Sequence, residues 1–270
     1  MQTYYQEFHR SDRILIDHLV VRALPEILTN YPSLGSLTPL APVNQLTSVI
    51  RSRWFDQEVI AFLERYPDAV VVNLGAKLCT RRWRLPILPQ HWYDVDEPAV
   101  MRLRQTYFTI ALREEDLVYH PLDFSWMQAV KRQPGQPMVI VLEGLCMYLD
   151  PVQVGALFQA VAQTFPKAHL LFDTVSPRLI TLDQRTFRGC SGGCHGQPNF
   201  LGDGPLQFKW GLSAVEEFES WGLEVSVVQV MHYLQQIVDY PERIDTWMIQ
   251  FWPLLEPLLR DSAQIYHLQL

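Results

Sequence analysis

The 270-residue chain has little cysteine, no long apolar run and no excess of positive charge. Four cysteines in a chain of this length do not make a disulfide scaffold, so a reducing, cytoplasmic setting is the default expectation. Continuous apolar stretches such as Met138 to Leu142 stop far short of the roughly 18 residues of a spanning helix, and MQTYYQEFHRSDR at the N-terminus lacks a secretory apolar core. With 22 basic against 29 acidic residues the net charge is -7, which disfavours general nucleic-acid binding. A small-molecule substrate, with no membrane and no nucleic acid as partner, is the expectation. The G-x-G-x-x-G loop of dinucleotide proteins is missing too.

What is present is apolar material for one large core, at 48% hydrophobic residues, arranged in an alternation of helices and strands. Helical spacing runs from Ser11 to Leu28, and a segment with Pro and Gly from Tyr31 to Pro42 interrupts it. A second helical stretch covers Leu46 to Arg65. Strands are expected at Val70 to Leu74, Trp92 to Val95, Leu117 to His120, Met138 to Glu143 and His169 to Asp173. Helices at Ala99 to Arg113, Phe124 to Arg132 and Val152 to Phe165 separate them. That alternation specifies an α/β, doubly wound, mostly parallel sheet. After Asp173 the rhythm fails, and Ser176 to Pro205 reads as a long loop or lid. A short helix at Ser213 to Trp221 and strands at Leu223 to Val230 and Ile265 to Leu270 follow, which lets the sheet end in an antiparallel pair with a long connection.

The segment VVNLGAKLCTR, from Val71 to Arg81, is a β-branched run that breaks into a glycine turn, and Asp96 closes the next strand about 20 residues later. A glycine at the end of the first strand lets the backbone approach a ligand, and an acid at the end of its neighbour can accept two ribose hydroxyls. Gly75 and Asp96 fit those positions. Strand, turn, helix and acid together make a nucleotide-site signature.

Four further motifs make the pattern specific: RSRWFD at Arg51 to Asp56, WYDVDEP at Trp92 to Pro98, VLEGLCMYL at Val141 to Leu149, and FKWG at Phe208 to Gly211. With LDFSW at Leu122 to Trp126 and LLFDTVS at Leu170 to Ser176, the chain resembles class I S-adenosylmethionine (SAM) methyltransferases. Within these it is most similar to the leucine carboxyl methyltransferase family, in its bacterial polyketide-type O-methyltransferase branch. The resemblance implies a seven-stranded Rossmann-like domain with SAM as cofactor. Residues 1–66 would form a helical cap, 67–175 the cofactor-binding core, 176–212 a lid or acceptor loop, and 213–270 the C-terminal helix and strand pair.

The resemblance also implies roles. Arg51 would pair with the methionine carboxylate of SAM, Gly75 would lie against the cofactor, and Asp96 would hold the ribose with Asp94 in support. Asp123 and Phe124 would meet the adenine, although Asp123 also suits a cap on the following helix. Glu143 would lie near the methionine end, where the sulfonium or amino group gives a buried carboxylate its partner. Tyr148 and Trp210 are candidate acceptor contacts, each equally suited to packing. The family pattern G-x-G-L-D-T-R is broken at two places, by Lys77 for the second glycine and Cys79 for the aspartate. Lys77 sets a charged stem where backbone should touch the cofactor, unless it points outward or pairs with a carboxylate such as Glu143 or that of SAM. Cys190, Cys194 and His195 are too irregularly spaced for a zinc site, and no metal is expected.

The expected function is methyl transfer to an oxygen of a small natural-product-type metabolite, most simply a carboxylate, which carries its lone pair at neutral pH and needs no strong base. No catalytic residue is assigned. Two alternatives remain. The first is a methyltransferase fold with an altered SAM loop that acts as a non-methylating cyclase, isomerase or binding subunit, and the second is a carboxyl methyltransferase of a protein C-terminus.

Overall fold

The runs VVVNL and MVIVL show no polar alternation because both of their faces are covered. The computed structural model describes residues 1–32, 41–87, 90–108, 116–181 and 208–270. In it these runs are β1 (Val70–Leu74) and β4 (Met138–Leu142), which are buried throughout and pair in parallel, Val70 opposite Met138. β2 (His91–Asp96) flanks β1 on its other side, β3 (Asp116–Val118) flanks β2, and β5 (His169–Val175) flanks β4. β7 (Ala263–Gln269) runs antiparallel to β5, and β6 (Ser226–Met231) antiparallel to β7. The sheet of the described residues therefore has the order β3-β2-β1-β4-β5-β7-β6, as the alternation of helices and strands leads one to expect.

Side chains alternate between two apolar layers along each central strand. Val70, Val72, Leu74, Ile140 and Leu142 pack with Trp126, Leu157 and Phe158 on one face. On the other, Val71, Val139, Val141 and Leu171 pack with Leu46, Ile50, Phe55 and Val59 of α3 (Pro42–Arg65). The first layer's Leu157 and Phe158 belong to α7 (Pro151–Thr164), whose Asp150 and Gln153 form a capping box.

Several helix boundaries differ from expectation for local reasons. α1 (Gln2–Phe8) was not anticipated; its buried Glu7 pairs with Arg243 at 2.5 Å, so a distant ion pair anchors it. α2 is His18–Asn30 rather than starting at Ser11, because Asp17 caps it by accepting the Val20 N–H at 3.1 Å. Only the turn α4 (Arg81–Arg84) lies between β1 and β2, and α5 is Pro98–Tyr107. The stretch Phe124 to Arg132 narrows to α6 (Trp126–Ala129), and the helix expected over Ser213 to Trp221 narrows to α8 (Glu217–Ser220). The connection between β6 and β7 holds an unexpected helix, α9 (Thr246–Leu259), hidden in the sequence by Pro253 and Pro257. Among the described residues no helix is long and apolar enough to cross a membrane. Cys190, Cys194, His195 and most of the loop at Ser176 to Pro205 lie outside the described residues.

Candidate functional site

All parallel strands point their carboxyl ends at one edge of the sheet, and the loops after β1, β2 and β4 meet there. After β1, Gly75 turns left-handed (φ 67°), and the N–H groups of Gly75 and Ala76 donate to the Val95 carbonyl of β2 at 2.9 and 3.1 Å. Asp96 ends β2 and is buried. Its carboxylate accepts the backbone N–H groups of Lys77 at 2.6 Å and Glu97 at 2.7 Å. Burial pushes its carboxyl above the ordinary value, and those two N–H bonds oppose the rise. Each carboxylate oxygen has a second lone pair, so the acid keeps acceptor capacity for a ligand.

A buried brace fixes this loop. Asp94, two residues before Asp96, accepts from Asn73 Nδ2 and Arg104 Nη2, both at 2.7 Å. Arg104 of α5 also donates from Nη1 to the carbonyls of Lys77 and Cys79, at 2.9 and 2.7 Å. Asp94 thus has the supporting position expected of it. Arg104 escapes the sequence reading, because a buried arginine on a mixed helix face looks like a solvated one. Its signal is its position one turn from the end of a helix that starts at the strand-ending acid.

At the end of β4 the charges are held by side chains. Glu143 receives Arg81 Nη2, Ser52 Oγ at 2.8 Å, and Arg51 Nε as an ion pair at 3.3 Å. Burial alone would raise its carboxyl, but Arg81 and Arg51 hold it well below the usual carboxylate range. This corrects the expectation that a ligand's sulfonium or amino group must partner Glu143; the protein supplies the partners. Asp173 of β5 accepts the Gly144 N–H at 2.6 Å and Arg51 Nη1 at 3.1 Å. Burial pushes the Asp173 carboxyl up, with Arg51 opposing. Arg51 is thus engaged by Asp173 and Glu143 and held firmly protonated against its own burial, instead of standing free for a carboxylate.

Lys77 is exposed, and the partner of its ammonium is a backbone carbonyl rather than Glu143. It adopts the left-handed backbone of the glycine it replaces (φ 47°), at a cost of roughly 1–2 kcal/mol for a residue with a Cβ. Its side chain crosses from the β1 loop to the β4 loop, donating from Nζ to the Gly144 carbonyl at 2.5 Å, with Nζ 5.8 Å from the centre of the Tyr148 ring. Surrounding protein and the Arg51 cation lower its pKa, moderated by water because the residue is exposed. Cys79 sets its sulfur 3.7 Å from Arg81 Nη1, while Arg81 takes Asp56 at 2.6 Å as its other carboxylate.

The remaining candidates divide. Asp123 is exposed on the loop after β3 and accepts the N–H (3.1 Å) and hydroxyl (2.6 Å) of Ser125, a turn contact and not the expected cap on the following helix, whose N-cap is Ser125; Phe124 beside it is half-buried against the core. Tyr148 is half-buried beside Lys77, its ring 5.6 Å from that of Phe208. Trp210 is corrected from acceptor contact to core: it is 2% exposed, lies near Phe172 and Trp221, and donates its ring N–H to Glu217 at 3.1 Å.

Known proteins resemble this chain in sequence and in fold. The leucine carboxyl methyltransferase family pattern matches residues 33–162. The tetracenomycin polyketide synthesis O-methyltransferase TcmP of Streptomyces glaucescens is 30% identical over 128 residues, a match that spans about half of each protein (47%). Among solved structures, magnesium protoporphyrin IX methyltransferase (ChlM) from Synechocystis PCC 6803, with bound SAH, superposes with a TM-score of 0.50 at 11% identity, covering 94% of this chain and 99% of that one. Over residues 33–162, somewhat under half of its length, this chain is thus similar to the leucine carboxyl methyltransferase family, and its seven-stranded fold is shared with the magnesium protoporphyrin IX methyltransferase.

Proposed function

We propose that this protein is a SAM-dependent O-methyltransferase acting on a small metabolite, with a carboxylate oxygen as the acceptor. The observation that carries the reading is the acid at the end of β2: Asp96 is buried and tied by backbone N–H groups to the loop after β1, and each of its oxygens keeps a lone pair for a further donor. The family match over residues 33–162 and the O-methyltransferase relative support it.

In this reading Asp96 holds the ribose, Gly75 permits close approach of the loop, and Asp123 with Phe124 borders the adenine. Arg51 and Glu143 stand at the methionine end, and Tyr148 lies on the acceptor side. SAM, when bound, supplies a methyl group already activated for displacement. The chain's own task is alignment and exclusion of water. Tyr4 and Tyr233, both within electrostatic reach of Arg51 and Glu143, have their phenols pushed up by burial and by the nearby carboxylates, which makes them poor bases. An acceptor that arrives ionised suits such a site, whereas an alcohol does not.

The test is incubation of the full chain with methyl-labelled SAM and a panel of small carboxylic acids, phenols and alcohols. Base-labile label on carboxylic acids, absent with Asp96→Ala, is the expected result. Label confined to phenols overturns the acceptor assignment, and no binding of SAM or S-adenosylhomocysteine (SAH) by the folded protein overturns the whole reading.

A further inference from the structure

We propose that Lys77 inverts the charge preference of the cleft, so that it takes adenosine ligands with a neutral thioether, such as SAH, in preference to the sulfonium of SAM. This rests on the nucleoside-binding reading above and specifies the ligand class of the same site.

The argument begins with backbone. Position 77 has the left-handed conformation that favours glycine, yet carries a long cationic side chain. That side chain is directed at Gly144, which is itself left-handed (φ 63°). A Cβ at Gly144 would stand 3.5 Å from Lys77 Nζ and 3.8 Å from Arg51 Nη2, so two cations converge on one bare backbone position. A nucleoside held by Asp96 at β2 must send its 5′ substituent past β1 toward β4, the strand on the other side of β1. Lys77 lies along that route, bridging the β1 loop and the Gly144 carbonyl.

Charge then decides the preference. Asp96, Glu143 and Asp173 are the carboxylates of this cluster, and Arg51, Arg81 and Lys77 its cations, three against three; Asp56, the other carboxylate of Arg81, is itself paired with Arg84 at 2.7 Å, so that the two add one charge of each sign. With glycine at 77 one negative charge would be in excess and would match the net single positive charge of SAM. With Lys77 the cluster is balanced, and the sulfonium, which has no proton to lose, brings an uncompensated charge beside two cations. SAH differs by lacking that methyl and that charge. Because Lys77 is exposed to cleft water, the discrimination is about tenfold rather than many orders of magnitude.

Calorimetry on the full chain tests this with SAM, SAH and 5′-methylthioadenosine as probes, comparing wild type, Lys77→Met and Lys77→Gly. Wild type should bind SAH at least about tenfold more tightly than SAM, and Lys77→Met, which keeps the stem and removes the charge, should cut that ratio by about tenfold. Lys77→Gly should cut it as far and also tighten both ligands. The wild-type ratio should shrink as salt rises. Equal affinity for SAM and SAH in wild type, or a ratio unchanged in Lys77→Met, overturns the inference and leaves the nucleoside reading standing. Failure of all three probes to bind a chain whose circular dichroism shows it folded overturns both.

Discussion

On the β2 side of the site Asp96, the acid proposed to hold a ligand, is held by backbone N–H groups, whereas on the β4 side Glu143 is held entirely by side chains and Asp173 partly so. Backbone-held charge is set once, when the sheet and its loops form. Side-chain-held charge can re-pair when a ligand enters. In the proposed reading the first side recognises a constant part of a ligand, and the second is where a substitution such as Lys77 changes what is accepted.

The comparison breaks most severely at Arg104. Its loss leaves Asp94 buried without its cation and releases two loop carbonyls, so Arg104→Ala should destabilise the fold by about 3–5 kcal/mol, read as the midpoint shift in urea unfolding. Arg51→Ala on the other side should cost only about 1–2 kcal/mol, because Asp173 keeps the Gly144 N–H and Glu143 keeps Arg81 and Ser52. Equal losses for the two arginines would erase the distinction between the sides. Next comes Asp96→Ala, which should weaken SAH binding about 100-fold, or about 2.7 kcal/mol, in calorimetry; a loss below threefold would mean that the backbone-held acid does not face the ligand.

A smaller effect sharpens the contrast by separating the cleft from the far end of the sheet. His169 Nδ1 lies 2.8 Å from His267 Nε2, whose ring in turn meets Glu58 at 2.8 Å. Burial and the neighbouring His267 hold the His169 pKa down at about 4, below its ordinary 6.5. The unfolded chain then binds the extra proton first, so this histidine's contribution is complete above pH 6.5 and is lost as pH falls toward 4. Because the ring is partly exposed, a loss on the order of 1–2 kcal/mol is expected across that window. His169→Gln should flatten that slope relative to wild type in urea titrations at stepped pH. An identical slope in both proteins would move the acid sensitivity to the cleft.

How far these features were legible in the sequence follows from how local their causes are. β1 and β4 are plain because double burial writes an unbroken apolar run, and Gly75 and Asp96 are plain because a strand end, a turn and an acid keep a fixed spacing. Asp123 shows the limit of motif reading: a residue type that suits a ligand or a helix cap closes a turn on Ser125 just ahead of the helix. Trp210 and Arg104 were opaque because burial at a loop or on a charged helix depends on contacts far along the chain, Trp210 with Phe172 and Arg104 with Asp94. The route of Lys77 to Gly144 spans 67 residues, and no local pattern encodes it.

The two borders of the sheet bear on a different matter, the behaviour of the molecule at high concentration. Among the described residues β3 has three residues, and β6 carries an irregularity between Val227 and Gln229 that interrupts its pairing with β7. A foreign strand seeking to extend the ladder at the β6 border meets a kinked row of N–H and C=O groups. Val227 and Val228 can thus lie exposed on the outermost strand without making it a template for fibrous assembly.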